Sequence, residues 1–176
     1  MNKRIDNFID HLVKLTKSKR GPAILSKFKK SNPTKLFQIG RYIYPYLPTQ
    51  NESWSNLCFI HTARLFAINP RHTDTKSFGK SIKPLIKEYS EEGMNRKFLS
   101  FLDATEEIPV FQHLGTLIRL SAAKRIPINW ADLLQGLTFW KSDTMWVQNK
   151  FSKDFWEQPV KKVESKKEKI NSPEMA

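Results

Sequence analysis

The side chains that most often carry chemistry are sparse in this sequence and poorly placed for it. The four histidines, His11, His61, His72 and His113, never fall at i, i+3 or i, i+4 spacing, the separations that turn two imidazoles toward one metal from a helix face. A single cysteine, Cys58, can neither frame a zinc site nor close an internal disulfide, which points to a reducing compartment. Gly79-Lys80-Ser81 copies the end of a phosphate-cradling loop, but the preceding strand and first glycine are missing. Asp103, Glu106 and Glu107 cluster at a helix end, where carboxylates cap and balance charge. No acid–base pair, activated nucleophile or ligand set can be assembled. The chain is read as a non-enzyme with no cofactor and no metal.

What remains is charge. Thirty Lys and Arg stand against 17 Asp and Glu, a net +13 over 176 residues. Residues 1–50 hold eleven basic and two acidic side chains, so +9 of that total lies there. A surface built only for solubility interleaves both signs, so the bias predicts a face for an anionic partner, nucleic acid by default. Lys27, Lys29 and Lys30 crowd around Phe28, which is expected to be exposed and able to stack on a base. Trp130, Trp140, Trp146 and Trp156 recur at helical spacing and are assigned to the core instead. Trp130 and Trp140 lie ten residues apart and are expected at opposite ends of one helix face.

The elements that must position these residues are helical. Ile5, Phe8, Ile9, Leu12, Val13 and Leu15 form one apolar stripe. Gly21-Pro22 interrupts it, and a short basic helix runs from about Pro22 to Lys30. Asn32-Pro33 reads as the cap and first residue of a helix burying Leu36, Ile39, Tyr42, Ile43 and Tyr46, closed by Pro45 and Pro48. A long helix starts at Trp54 and ends before Pro70. The run 69–77 has loop composition and marks a boundary between two candidate lobes. Two helices follow, one with Phe78, Ile82, Leu85 and Ile86 that Pro84 kinks or shortens, and one with Met94, Phe98, Leu99 and Leu102. Helices over 109–124, from Asn129 through Trp140, and over 144–156 complete an all-α bundle of about eight or nine helices. Residues 1–158 form the helical domain. From Pro159 to Ala176 aromatics vanish and Lys alternates with Glu, which predicts a disordered tail.

No stretch approaches the ~18–20 apolar residues that span a bilayer. The longest candidate, Leu57 to Ile68, is broken by His61, Thr62 and Arg64. Asp6 and Asp10 follow the basic start before any apolar signal core develops, so a cytoplasmic protein with no membrane contact is expected.

An ordered set of short motifs then carries a resemblance. Phe98-Leu99-Ser100-Phe101-Leu102-Asp103-Ala104 is followed by Gln112-His113-Leu114, Leu117-Ile118-Arg119-Leu120, Ile126-Pro127-Ile128-Asn129-Trp130-Ala131-Asp132-Leu133-Leu134 and Leu137-Thr138-Phe139-Trp140. In that order and spacing the run resembles the CasB family, the small subunit of the type I-E CRISPR interference complex, Cascade. Upstream, Phe78-Gly79-Lys80 is similar to the family's Leu-Gly-Arg helix start and Arg96-Lys97-Phe98 to its Arg-Arg-Phe element. Gly21 to Lys27 is similar to its Arg-Ala-x-Leu-Arg-Arg segment, and Lys153-Asp154-Phe155 to its closing Arg-Asp-Phe. The likeness covers about residues 5–157. Lysine stands at 27, 80 and 97 where the family carries arginine, Ser26 takes the place of another, and Gly115 follows His113-Leu114 where arginine is usual. These changes trade bidentate phosphate grips for point-charge contacts.

The resemblance implies a helical, non-catalytic subunit packed as two copies head to tail against backbone subunits (CasC) and the large subunit (CasA). Its basic faces would hold CRISPR RNA, target DNA and the displaced strand of the R-loop. The residues assigned to that role are Lys27, Lys29, Lys30, Arg64, Lys80, Arg96, Lys97 and Arg119, with Trp130 and Trp140 assigned to the structural core. The alternative is a free-standing helical DNA-binding regulator. That reading needs one recognition helix with its polar and basic residues on a single face, whereas these charges are spread over several helices.

Overall fold

Helical periodicity becomes helix almost everywhere in the computed structural model, which describes residues 2–31 and 33–157. The expectations for Asn32 as a cap and for the tail from 159 onward lie outside the described residues. The fold is all-α. The helices are α1 (Lys3–Lys17), α2 (Gly21–Lys30), α3 (Gly40–Ile43), α4 (Trp54–Ile68), α5 (Phe78–Ile82), α6 (Leu85–Glu88), α7 (Glu91–Asp103), α8 (Glu107–Ala123), α9 (Trp130–Thr138) and α10 (Trp146–Trp156). Among the described residues extended backbone pairs at one isolated parallel bridge, His72 with Ile128.

Helix α4 is the axis. It buries residues on every side, from Cys58, Phe59 and Ile60 to Leu65, Phe66 and Ala67. Such an all-round apolar helix belongs in the middle of a bundle, and α2, α8 and α9 pack against it. Ser53 caps its start, the hydroxyl accepting from Asn56 N–H at 3.1 Å. Helix α1 lies across α2 and α9 through Ile5, Phe8, Ile9 and Leu12. The α1–α2 turn is tight enough that a Cβ on Gly21 would lie 2.0 Å from the Leu15 carbonyl oxygen, so only glycine fits there.

The C-terminal half is an aromatic assembly. Phe98 and Phe155 lie 4.1 Å apart between ring centres, Phe101 stacks on Trp140 at 4.6 Å, and Phe78 meets Phe151 at 5.1 Å. Helix α5 reaches α10 so closely that a Cβ on Gly79 would lie 2.6 Å from the Phe151 carbonyl oxygen. The glycine of the false phosphate loop is therefore explained by packing. Asn129 caps α9, accepting from Asp132 N–H at 2.9 Å. The Asp132 carboxylate does not reach back to complete the box. It accepts from Phe78 N–H at 2.8 Å and pairs with Lys150, joining α5, α9 and α10.

Three expectations need correction. The segment expected as one helix over 33–46 is instead a distorted 3-10 stretch (Pro33–Gln38), the single turn α3 and a second 3-10 turn (Tyr44–Tyr46). Lys35 departs from helical geometry (φ −117°, ψ 36°), and Pro45 removes an N–H that a continuing helix would need. Pro84 does shorten the next helix, as expected, dividing it into α5 and α6. Leu99, counted among the apolar positions that mark α7, is 46% exposed, while Phe101 occupies the core. Helix α9 ends at Thr138, so Trp140 lies beyond it rather than at its end. The loop 69–77 is tied down: Asn69 donates to the Ile126 carbonyl at 2.8 Å and Thr73 N–H to that of Ile128 at 3.1 Å.

Candidate nucleic-acid interface

Helix α2 buries Ile24, Leu25 and Phe28 and turns Lys27, Lys29 and Lys30 outward. Residues three apart on a helix share a face and residues two apart do not, so the lysines divide. Lys27 and Lys30 line one groove together with Ala23, Ser26, Phe37 and Gln38. Lys29 lines a second, where Arg64 from α4 and Arg119 from α8 also converge over Leu65 and Phe111. Helix α2 thus carries a cationic groove on either side. Among the described residues neither Lys27, Lys29, Lys30, Arg64 nor Arg119 has a carboxylate within ion-pair distance.

The second groove, of about 430 Å³, has a structured floor. His61 stacks on Phe111 with ring centres 3.9 Å apart and planes within 10°. Its Nε2–H donates to Glu107 Oε1 at 3.1 Å, and Arg64 Nη1 approaches its Nδ1 at 3.4 Å. Burial holds the imidazole pKa below its ordinary value, against the opposing hydrogen bond and charge of Glu107. His61 is therefore neutral near pH 7, and its charge-free ring separates Glu107 from Arg64. One carboxylate facing three cations leaves the groove net positive. At Gly115, where the resemblance leads to arginine, a Cβ would lie 3.5 Å from the Arg119 guanidinium and 3.6 Å from Leu65, at ordinary contact distance, so Arg119 lies over this position.

The other predicted cations stand apart. Lys80 pairs with Glu157 at 3.4 Å and Arg96 with Glu92 one turn away at 3.4 Å; Lys97 is exposed on α7. These three line neither groove. Phe28, expected at the surface, is fully buried, edge-on to Tyr42 at 5.9 Å. The exposed aromatic of this region is Phe37, at 74%. It falls off the apolar stripe of Leu36, Ile39 and Ile43 within a basic segment, and that mismatch was the signal available to find it. Trp130 and Trp140 are buried, their indole N–H groups donating to the carbonyls of Arg71 at 3.2 Å and Ala104 at 2.7 Å. Trp146, expected in the core, is 42% exposed beside Phe139.

Nothing in the site suggests covalent or metal chemistry. Among the described residues no group of three or more His, Cys, Asp or Glu is placed to hold a metal. Cys58 is buried, and burial pushes its thiol away from the reactive thiolate form. Among the same residues no helix is long and apolar enough to cross a membrane.

A family model for the CRISPR-associated protein Cse2 matches residues 22–156, well over half the chain. The chain belongs to the Cse2 family. No curated protein sequence matches it. Among solved structures, the fold is shared with a Cse2-family protein from Thermus thermophilus, at 19% identity and a TM-score of 0.74, covering 88% of this chain and 98% of that one. CasB from Thermobifida fusca matches at 17% identity and a TM-score of 0.70, covering 87% and 98%. A chain of a CRISPR RNA-guided surveillance complex matches at 17% identity and a TM-score of 0.72, covering 87% and 91%. At these identities the likeness is one of fold. Both grooves lie within the matched segment, so this Cse2 chain carries its cationic surface on the family's common scaffold rather than on an appended piece.

Proposed function

We propose that this Cse2 chain is the non-catalytic small subunit of a type I-E CRISPR RNA-guided surveillance complex, acting in the cytoplasm. In that role it stabilises guide RNA, target strand and displaced strand through contacts that do not read sequence. Its protein neighbours are the backbone subunits (CasC), the large subunit (CasA) and a second copy of itself. The observation that carries the reading is the pair of cationic grooves flanking α2, drawn from α2, α4 and α8. Strand exchange in an R-loop is nearly balanced in base-pairing energy, so a few phosphate contacts decide whether the loop stays open. Net-positive grooves, one lined by Lys27 and Lys30 and the other by Lys29, Arg64 and Arg119 against the single carboxylate of Glu107, supply such contacts, and counterion release makes them salt-dependent. A free-standing regulator would concentrate its cations on one groove-entering helix. The spread over three helices favours lining a track.

The test is a Lys27/Lys29/Lys30→Ala variant assembled from the complete operon. Normal assembly is expected, with faster loss of bound target DNA and a shallower salt dependence, by about 0.7 in the slope of log K for each single-strand contact removed. Unchanged DNA retention at every salt concentration would remove α2 from the track. Recovery of the unmodified chain without partner proteins or a small RNA would overturn the assignment to a complex.

A further inference from the structure

We infer that Phe37 is a stacking platform for an unpaired base of single-stranded DNA, with Lys27 and Lys30 holding the flanking phosphates. This rests on the nucleic-acid reading above and adds to it a residue and a mode of contact, base stacking. Phe37 is a large apolar side chain left 74% exposed in a chain that buries Phe8, Phe28, Phe59, Phe66 and Phe78 completely. Leu36 and Ile39, three residues apart, turn toward the core, and Phe37 turns outward from the distorted 3-10 stretch. The ring stands in a groove of about 660 Å³, within the range of about 300–1,000 Å³ that suits a small organic ligand.

The lining is chemically specific. Ala23 leaves room in the groove, Ser26 and Gln38 add a hydroxyl and an amide to its lining, and Lys27 and Lys30 are its charged members. Exposed lysines beside an exposed aromatic form the arrangement that binds single strands, because every base offers a π-face and every step a phosphate. A duplex keeps its bases stacked and gives Phe37 nothing to cover. An acidic protein surface would satisfy the lysines but leave the ring without a flat partner, and a guide RNA paired to its target offers no free base.

Anisotropy of the full chain with labelled oligo-dT, an abasic strand of equal length and a blunt duplex tests the inference. Phe37→Ala is expected to weaken oligo-dT binding about tenfold while leaving the abasic strand, the duplex and the salt slope unchanged. Phe37→Trp should restore affinity. Lys27/Lys30→Ala should weaken all three ligands and reduce the single-strand salt slope by about 1.4, two contacts at about 0.7 each. Equal loss on the abasic strand, no loss on oligo-dT, or a greater loss on single-stranded RNA overturns the stacking role and leaves the phosphate contacts standing. Loss of complex assembly with intact oligo-dT affinity would assign Phe37 to a protein partner and likewise overturn it. Failure of the unmodified chain to bind any strand would instead count against the nucleic-acid reading itself.

Discussion

The region from α2 to α3 and the regular helices of the region from α7 to α10 use the same residue type in opposite ways. In the second, Phe98, Phe101, Phe151 and Phe155 leave regular helices at positions dictated by the 3.6-residue repeat, and all four are buried. In the first, the helix repeat fails after Lys30, and of two phenylalanines nine residues apart one is inside and the other outside. A regular helix leaves an aromatic residue little choice of face. An irregular segment can present it, and here it does so where the chain's positive charge is concentrated.

The largest way to sharpen this contrast is a truncation in the aromatic half. Trp140→Ala removes a ring stacked on Phe101 and orphans the Ala104 carbonyl that its indole N–H serves. Chemical denaturation should show a loss of about 3–5 kcal/mol. A loss below about 1 kcal/mol would mean that this half tolerates repacking as a loop does, and the contrast would fail. Next comes Gly79→Ala. The added methyl would press on the Phe151 carbonyl and the Asp154 side chain, and overpacking of this kind costs about 1–3 kcal/mol. An unchanged melting temperature would show that α5 and α10 can separate freely.

The legible parts of the molecule were those where one pattern dominated. The stripe of α1, the Gly21-Pro22 start of α2 and the Asn129 cap each answer to a local rule, and each has a local counterpart in the fold. Failures arose where tertiary contact decided. Phe28 looked exposed because lysines surround it in sequence, yet its helix turns those lysines out and the ring in. Lys80 and Arg96, assigned to the basic track, also pair with carboxylates, Glu157 seventy-seven positions from Lys80 and Glu92 four from Arg96. The convergence of Lys29, Arg64 and Arg119 was invisible, since three helices must pack before the charges meet. Phe37 was legible in principle, as an aromatic off its stripe.

Stability should also fall toward acid, through the part of the chain that precedes α5. His11, His61 and His72 all precede α5, and burial lowers the pKa of each below the ordinary value of 6.5. Tyr42 backbone opposes the shift at His11; Glu107 opposes and Arg64 reinforces it at His61; Ile128 backbone, Asp74 and Asp10 oppose it at His72. The unfolded chain therefore takes up protons first as pH falls through about 6.5. Stability is retained above that point and lost below it until the folded groups titrate as well. Melting temperatures read between pH 7.5 and 5.5 should fall, with a smaller fall for His61→Gln. A rise on acidification would contradict the burial of these imidazoles.

The smallest expected stability effect is the most discriminating. Phe37→Ala removes a side chain that is already three-quarters in water, so little apolar burial is lost and no cavity forms. Surface changes of this kind stay within about 0.5 kcal/mol. Phe28→Ala, only nine positions earlier on the same basic stretch, empties a fully buried site against Tyr42 and should cost about 3–5 kcal/mol. Measured side by side in denaturant, the pair separates packing from presentation within one region. Were Phe37→Ala to cost as much as Phe28→Ala, the 3-10 segment would be holding its aromatic against the bundle in solution. Near-zero cost, together with loss of single-strand binding, leaves recognition as the reason an apolar ring of this size stays at the surface.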